Sequence, residues 1–166
     1  AKSRQEEAEM WKNVGNRHMA NQEYEKAYNA YSTSLSLSPL GPTSHIFLSN
    51  RAASLLSLKR YSAAKIDARR AITLAPTFGK AHARLGQSLY FLKDYAGAVA
   101  AYEDASTYEP ENEVTLTYLT KARKKLARQE MRRARKVYQE GNNGKNNTLI
   151  SNIQDHKNSS SLQMQQ

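Results

Sequence analysis

Tyr61-Ser62-Ala63-Ala64 has two counterparts in this chain, Tyr24-Glu25-Lys26-Ala27 and Tyr95-Ala96-Gly97-Ala98. Each is an aromatic residue followed three positions later by alanine, and each follows one helical stretch and opens another. Prolines stand at the same phase of the pattern, at Pro39, Pro76 and Pro110. Their spacings are 76 − 39 = 37 and 110 − 76 = 34, so one unit carries three extra residues. The extra residues fall around Gly41-Pro42-Thr43, in an expected loop. A fixed period of this length is the mark of a repeat architecture.

Within each unit the apolar positions recur every three or four residues, the helical period. Gly15, Ala52 and Gly86 lie on the first helices, with Ala27, Ala64 and Ala98 expected to face them on the second. Helices approach closely only where one side lacks a large side chain. The prolines end each second helix and set the turn to the next unit. The spacing predicts helices near 5–20 and 24–37, 43–58 and 61–74, 77–92 and 95–108, and a seventh over about 111–139. The seventh caps the last apolar face through Val114, Leu116, Leu119, Ala122 and Leu126. The pattern resembles the tetratricopeptide (TPR) repeat. That resemblance implies an all-α superhelical solenoid of three helix hairpins plus a C-terminal capping helix. The TPR domain is expected over 5–140, with repeats near 8–41, 45–78 and 79–112. Residues 141–166, rich in Asn, Ser and Gln, are expected to be a disordered polar tail.

The formal charge of +10 is unevenly placed. Residues 1–120 hold 14 Lys+Arg against 12 Asp+Glu, residues 121–140 hold 9 against 2, and residues 141–166 hold 2 against 1. A nearly neutral body therefore carries one local basic stretch, 121–136. With no cysteine, disulfides and Cys-based metal sites are excluded. No apolar run approaches the roughly 20 residues that cross a bilayer, and no segment reads as a signal peptide. A cytoplasmic location is the expectation.

The residues that carry function lie on the expected first helices. Lys12 and Asn16 are four apart, as are Lys80 and Arg84, and positions four apart share a helix face. Asn50 stands between them on the first helix of the second repeat. Three cations and two amides with no acid among them suit an anion with many acceptor oxygens. Lys and Arg supply charge-assisted hydrogen bonds, and the Asn amides donate to oxygens already held by a cation. A C-terminal residue with an acidic side chain offers two carboxylates close together.

This set, with Ser49-Asn50-Arg51-Ala52-Ala53 and Gly79-Lys80-Ala81-His82-Ala83-Arg84-Leu85-Gly86, resembles the two-carboxylate-clamp TPR domains of co-chaperones. Those domains bind the seventy- and ninety-kilodalton heat-shock chaperones, which end in Glu-Glu-Val-Asp. Within that family the resemblance points to the small glutamine-rich TPR co-chaperones. It implies that Lys12, Asn16 and Asn50 hold the terminal main-chain carboxylate, and that Lys80 and Arg84 hold side-chain carboxylates. Met19, Ala53, Leu56 and Tyr90 are expected to form an apolar pocket for an upstream peptide side chain.

Other readings of the same residues remain. The same residues fit the docking domain of a larger enzyme (prolyl isomerase, phosphatase or ubiquitin ligase), or a general TPR scaffold binding an internal peptide. His18, His45, His82 and His156 form no pair at i, i+4, and no metal or cofactor is expected. No nucleophile elbow or phosphate loop is present, so no enzymatic role is expected. The basic residues 121–136 read as the solvated end of a long helix. Contact with an acidic partner, RNA or an anionic membrane surface is the less favoured reading, and nucleic acid gains no support from interleaved aromatic residues.

Overall fold

A computed structural model of the chain describes residues 2–163. Among the described residues seven α-helices follow in order, α1 (Arg4–Ala20), α2 (Tyr24–Leu37), α3 (Ser44–Ser57), α4 (Tyr61–Leu74), α5 (Gly79–Phe91), α6 (Tyr95–Tyr108) and α7 (Glu113–Gln163). No strand occurs among the described residues. The fold is the expected all-α solenoid of three hairpins. Each helix from α1 to α6 packs against the next, and α3 also packs against α5 and α1.

Local chemistry explains the boundaries. Ser3 caps α1 in a reciprocal box: its hydroxyl accepts from the Glu6 amide at 3.2 Å, while its own amide donates to the Glu6 carboxylate at 2.7 Å. Asp94 caps α6 by accepting from the Gly97 amide at 2.9 Å. The turn inside each hairpin is the same device three times. Gln22, Lys59 and Lys93 adopt left-handed backbone, with φ of 60°, 59° and 64°. The amide after each donates five residues back: Glu23 to the His18 carbonyl at 2.9 Å, Arg60 to Leu55 at 2.8 Å, Asp94 to Leu89 at 2.9 Å. This is the Schellman closure, usually built on glycine and here on long polar residues. Between hairpins, Ser38, Ala75 and Glu109 leave the helical region ahead of their prolines, with φ of −141°, −143° and −131° and ψ of 77°, 83° and 69°, as the following ring disfavours helical backbone.

The core is assembled from small residues and rings. Ala27, Ala64 and Ala98 are fully buried. At Gly15 and Gly86 the atoms nearest the missing side chain belong to rings. A Cβ on Gly15 would lie 2.5 Å from Tyr31 Cε1, and one on Gly86 would lie 2.9 Å from Tyr102 Cδ1. In the middle repeat the matching pair is Ala52 and Ala68, both buried in one cluster with Leu55, Leu56 and Ala64. Glycine opposite tyrosine is thus exchanged for alanine opposite alanine.

The chain divides into two units, one running through Lys125 and one from Leu126 onward. In the first, α7 covers the last hairpin through Leu119 and Ala122, which join a cluster with Leu89, Ala98, Ala101 and Tyr102. Thr115 is also buried, and Tyr118 stacks on Tyr102 with centroids 5.9 Å apart. Val114 (67% exposed) and Leu116 (42%) do not cap, contrary to expectation. The buried face runs 115, 118, 119, 122, a phase fixed by the tyrosine stack that apolar periodicity alone misplaced. In the second unit, the expected tail from 141 is helical as far as Gln163. No proline follows Pro110 to stop it. Gly141 and Gly144 have nothing within 4 Å of a would-be Cβ. His156 and residues 164–166 of the expected tail lie outside the described side chains and residues respectively.

Candidate functional site

α1, α3 and α5, the first helices of the three hairpins, carry all five predicted polar residues. Asn16 and Asn50 meet directly: the Asn50 amide nitrogen donates to Asn16 Oδ1 at 3.2 Å. The Tyr31 hydroxyl donates to the same oxygen at 2.7 Å. With that carbonyl doubly engaged, both hydrogens of the Asn16 amide nitrogen and one of Asn50 remain to donate elsewhere. Burial pushes the Tyr31 hydroxyl up to about 12, against the opposing effect of the Arg84 charge. It therefore stays a donor at every physiological pH.

Lys12 stands one turn before Asn16 on α1. Its ammonium pairs with Glu9 at 2.6 Å. Glu9 also accepts from the Gln5 amide at 3.3 Å and from the Thr43 hydroxyl. Burial raises the affinity of the Glu9 carboxyl for its proton, but hydrogen bonds from Lys12 and Thr43 outweigh that and leave its pKa lowered. Neither Glu9 nor Tyr31 was singled out by sequence. A Glu three residues before a Lys is a common surface pairing, and the tyrosine reads as core; only the fold shows both touching the polar set.

Lys80 and Arg84 contrast with Lys12. Lys80 is exposed on α5 and makes no ion pair among the described residues. Arg84 is half-buried, and its Nε is buried with no hydrogen-bond partner. Burial lowers the guanidinium pKa, which Tyr102, Glu109 and Tyr31 oppose. Arg84 also lines a pocket of about 370 Å³ with Met19, Ala53, Leu56, Gln87 and Phe91. Three of the four predicted apolar pocket residues are therefore brought together beside a predicted cation. Tyr90 is not among them. It packs instead against Phe91, Tyr95 and Tyr118, with centroids 5.5, 5.6 and 6.4 Å away. One helical position separates it from Phe91, which takes the place in the pocket.

A larger cavity, about 530 Å³, lies between α2, α3 and α4 and contains none of the predicted residues. Arg51, on its wall, is committed elsewhere: it forks onto Asp67 at 2.7 and 2.8 Å and donates to Ser32 at 3.1 Å. Of the histidines, His18 bonds Glu23 at 2.6 Å, His45 packs on Phe78, and His82 bonds the Pro76 carbonyl at 2.8 Å. No metal-binding group of His, Cys, Asp and Glu occurs among the described residues.

The class so defined is a helical-repeat array whose first helices present a donor-rich surface of Lys, Arg and Asn. The tetratricopeptide-repeat profile matches residues 47–78 and 79–112. The chain is 35% identical over 120 residues to small glutamine-rich tetratricopeptide repeat-containing protein 2 of Mycosarcoma maydis, covering 72% of this chain and 33% of that protein. It is 40% identical over 97 residues to the heat-shock cognate co-chaperone sgt12 of Aspergillus fumigatus, covering 58% and 28%. The chain thus spans about a third of the length of these curated relatives. The crystal structure of the Sgt2 TPR domain from Aspergillus fumigatus superposes with a TM-score of 0.71 and 32% identity, covering 75% of this chain and 82% of that one. The first TPR of Spaghetti (RPAP3), bound to the HSP90 peptide SRMEEVD, gives 0.70 at 26% identity over 74% and 95%. The second TPR domain of human RPAP3, in complex with the HSP70 peptide SGPTIEEVD, gives 0.67 at 27% over 73% and 98%. The chain belongs to the tetratricopeptide-repeat family and is homologous to the TPR domains of the Sgt2 and small glutamine-rich co-chaperones.

Proposed function

We propose that this chain is a co-chaperone adaptor module that holds the C-terminal carboxylates of seventy- and ninety-kilodalton heat-shock chaperones. Arg84 carries this reading: a half-buried guanidinium in the pocket wall that pairs with no carboxylate among the described residues. Such a group is costly to leave unmet. An arriving side-chain carboxylate satisfies it together with Lys80. Lys12, Asn16 and Asn50 take the terminal main-chain carboxylate, and Met19, Ala53, Leu56 and Phe91 receive an upstream aliphatic side chain. The solved neighbours whose bound peptides end in Glu-Glu-Val-Asp support the assignment.

No covalent step is proposed, and the module is read as cytoplasmic. Because the relatives are longer, the same docking role fits a module within a larger polypeptide. Each charge-assisted hydrogen bond contributes about 1.5–3 kcal/mol. Ordering a flexible tail offsets much of that, which places the complex near micromolar, about −8 kcal/mol.

Calorimetric titration with a peptide ending in Ile-Glu-Glu-Val-Asp, beside its C-terminally amidated twin, tests the reading. Micromolar binding to the free acid, abolished by amidation, weakened by salt and lost with Lys80→Ala, is the expected result. Equal affinity for both peptides, or salt-independent binding, overturns the clamp.

A further inference from the structure

The second unit places two chemically different faces side by side on one helix. Arg128, Arg132, Arg135 and Lys136 fall at i, i+4, i+7 and i+8, and so share a face of α7. Ala127, Met131, Ala134 and Tyr138, at i, i+4, i+7 and i+11, share the adjoining one. All eight residues are exposed. Met131 and Tyr138 are 73% and 75% exposed, and Val137, 68% exposed, flanks their stripe on the side of Glu130. The arginines form no ion pair among the described residues, and Lys136 reaches only Glu140 at 3.8 Å. Glu130 lies on the opposite side of the helix from the cations. Over residues 127–140 there are five cations and two acids, a net of +3.

A solvated helix end needs the cations but gains nothing from the apolar stripe. Met131, Val137 and Tyr138 cover no core, yet each presents most of its surface to water. A nucleic acid or an acidic loop would satisfy the arginines and leave those three side chains wet. A charged lipid surface satisfies both faces at once. The apolar stripe enters the boundary between head groups and acyl chains, while the long arginine stems carry their guanidinium groups up to the phosphates. No helix among the described residues is long and apolar enough to cross a membrane, so this contact lies in the plane of the surface.

We infer that residues 127–140 of α7 are an amphipathic surface that docks the protein reversibly on an anionic bilayer. The docking does not depend on the peptide clamp. Lys or Arg near such a surface each strengthens attachment several-fold, and salt screens the effect.

The test is co-sedimentation of the full chain with vesicles of phosphatidylcholine alone, and of phosphatidylcholine containing about one-third phosphatidylserine, at physiological ionic strength. The proposal expects binding to the anionic vesicles only. It expects at least about tenfold loss with Arg128→Glu/Arg132→Glu/Arg135→Glu, and a comparable loss with Met131→Ser/Val137→Ser/Tyr138→Ser, which leaves every charge in place. Circular dichroism of each variant, read alongside, checks that the helices persist. Absence of binding to anionic vesicles overturns the proposal. So does full binding by the serine variant, which would mean that the cations alone act, as they would on RNA or an acidic protein.

Discussion

The Glu9 carboxylate sits 2.6 Å from the Lys12 ammonium, one helical turn away on α1. Thr43 and Gln5 hold Glu9 there from the other side. One of the five groups assigned to the incoming carboxylates therefore already has an anion of its own.

Removing that anion should favour the ligand. Glu9→Gln is expected to bind the free-acid peptide about two- to fivefold more tightly, the scale of a partly exposed ion pair. The gain should vanish in a Lys12→Ala background, as read by calorimetry. The same carboxyl gives a pH signature. Its folded pKa lies below the ordinary value of 4.5, so its stabilising effect is present above that value and is lost as pH falls through the folded pKa. Acid unfolding of Glu9→Gln should accordingly be less steep below about 4.5 than that of the parent.

Tyr31 orients Asn16 by donating to its carbonyl oxygen. Tyr31→Phe keeps the ring against Gly15 and deletes only the hydroxyl. The expected cost to folding is about 0.5–1.5 kcal/mol. Peptide affinity should fall more than stability suggests, because the Asn16 amide loses its fixed direction. Side-chain amide resonances of Asn16, broadened or shifted in the variant, would report this; unchanged affinity and resonances would remove Tyr31 from the site.

Gly15→Ala and Gly86→Ala introduce a methyl group 2.5–2.9 Å from the rings of Tyr31 and Tyr102. Both rings are almost wholly buried and have no room to retreat. Each variant should lose about 1–3 kcal/mol in chemical denaturation. Pairing Gly86→Ala with Tyr102→Ala, which copies the Ala52–Ala68 arrangement of the middle repeat, should remove the clash, leaving only the cost of the lost ring.

Arg51 and Asp67 tie α3 to α4 through a two-point fork, with Ser32 of α2 as a third partner. Asp67 is buried. Arg51→Leu leaves its carboxylate without a counter-charge, at an expected cost of about 3–5 kcal/mol. The double variant Arg51→Leu/Asp67→Leu should recover most of that. If the double variant is no more stable than Arg51→Leu alone, an uncompensated Asp67 charge is not what the single substitution costs.

The repeat itself was open to reading because its signals are local. A proline after each second helix and an alanine three residues into it act on their own segment, so α2, α4 and α6 emerge with the predicted bounds. The Asn16–Asn50 contact follows from the same register. What eluded the sequence depends on neighbours in space. Tyr90 and Phe91 differ by one helical position, and a cluster of three rings decides which one faces the pocket. Glu9 looks like any surface acid until Thr43 is seen reaching it from the loop before α3. The extension of α7 past residue 139 eluded prediction for a different reason: residues 140–155 are all exposed, so packing imposes no pattern on them.

The left-handed turns at Gln22, Lys59 and Lys93 carry a last consequence. They recur after 59 − 22 = 37 and 93 − 59 = 34 residues, so the unequal period never disturbs them. Each must place one residue in a backbone well that L side chains enter reluctantly, with the next amide on a set carbonyl. An added residue there would break that geometry. The link after α2 holds no left-handed residue, and Leu40 within it is 81% exposed, while Ser38, Gly41 and Thr43 on either side stay bonded to α1 and α3. The extra length of the first period is taken up around the joint after α2 and not in the turns. A peptide tag or a reporter spliced beside Leu40 should ride on the array as a passenger, whereas the same insert at Gln22 would unseat its hairpin.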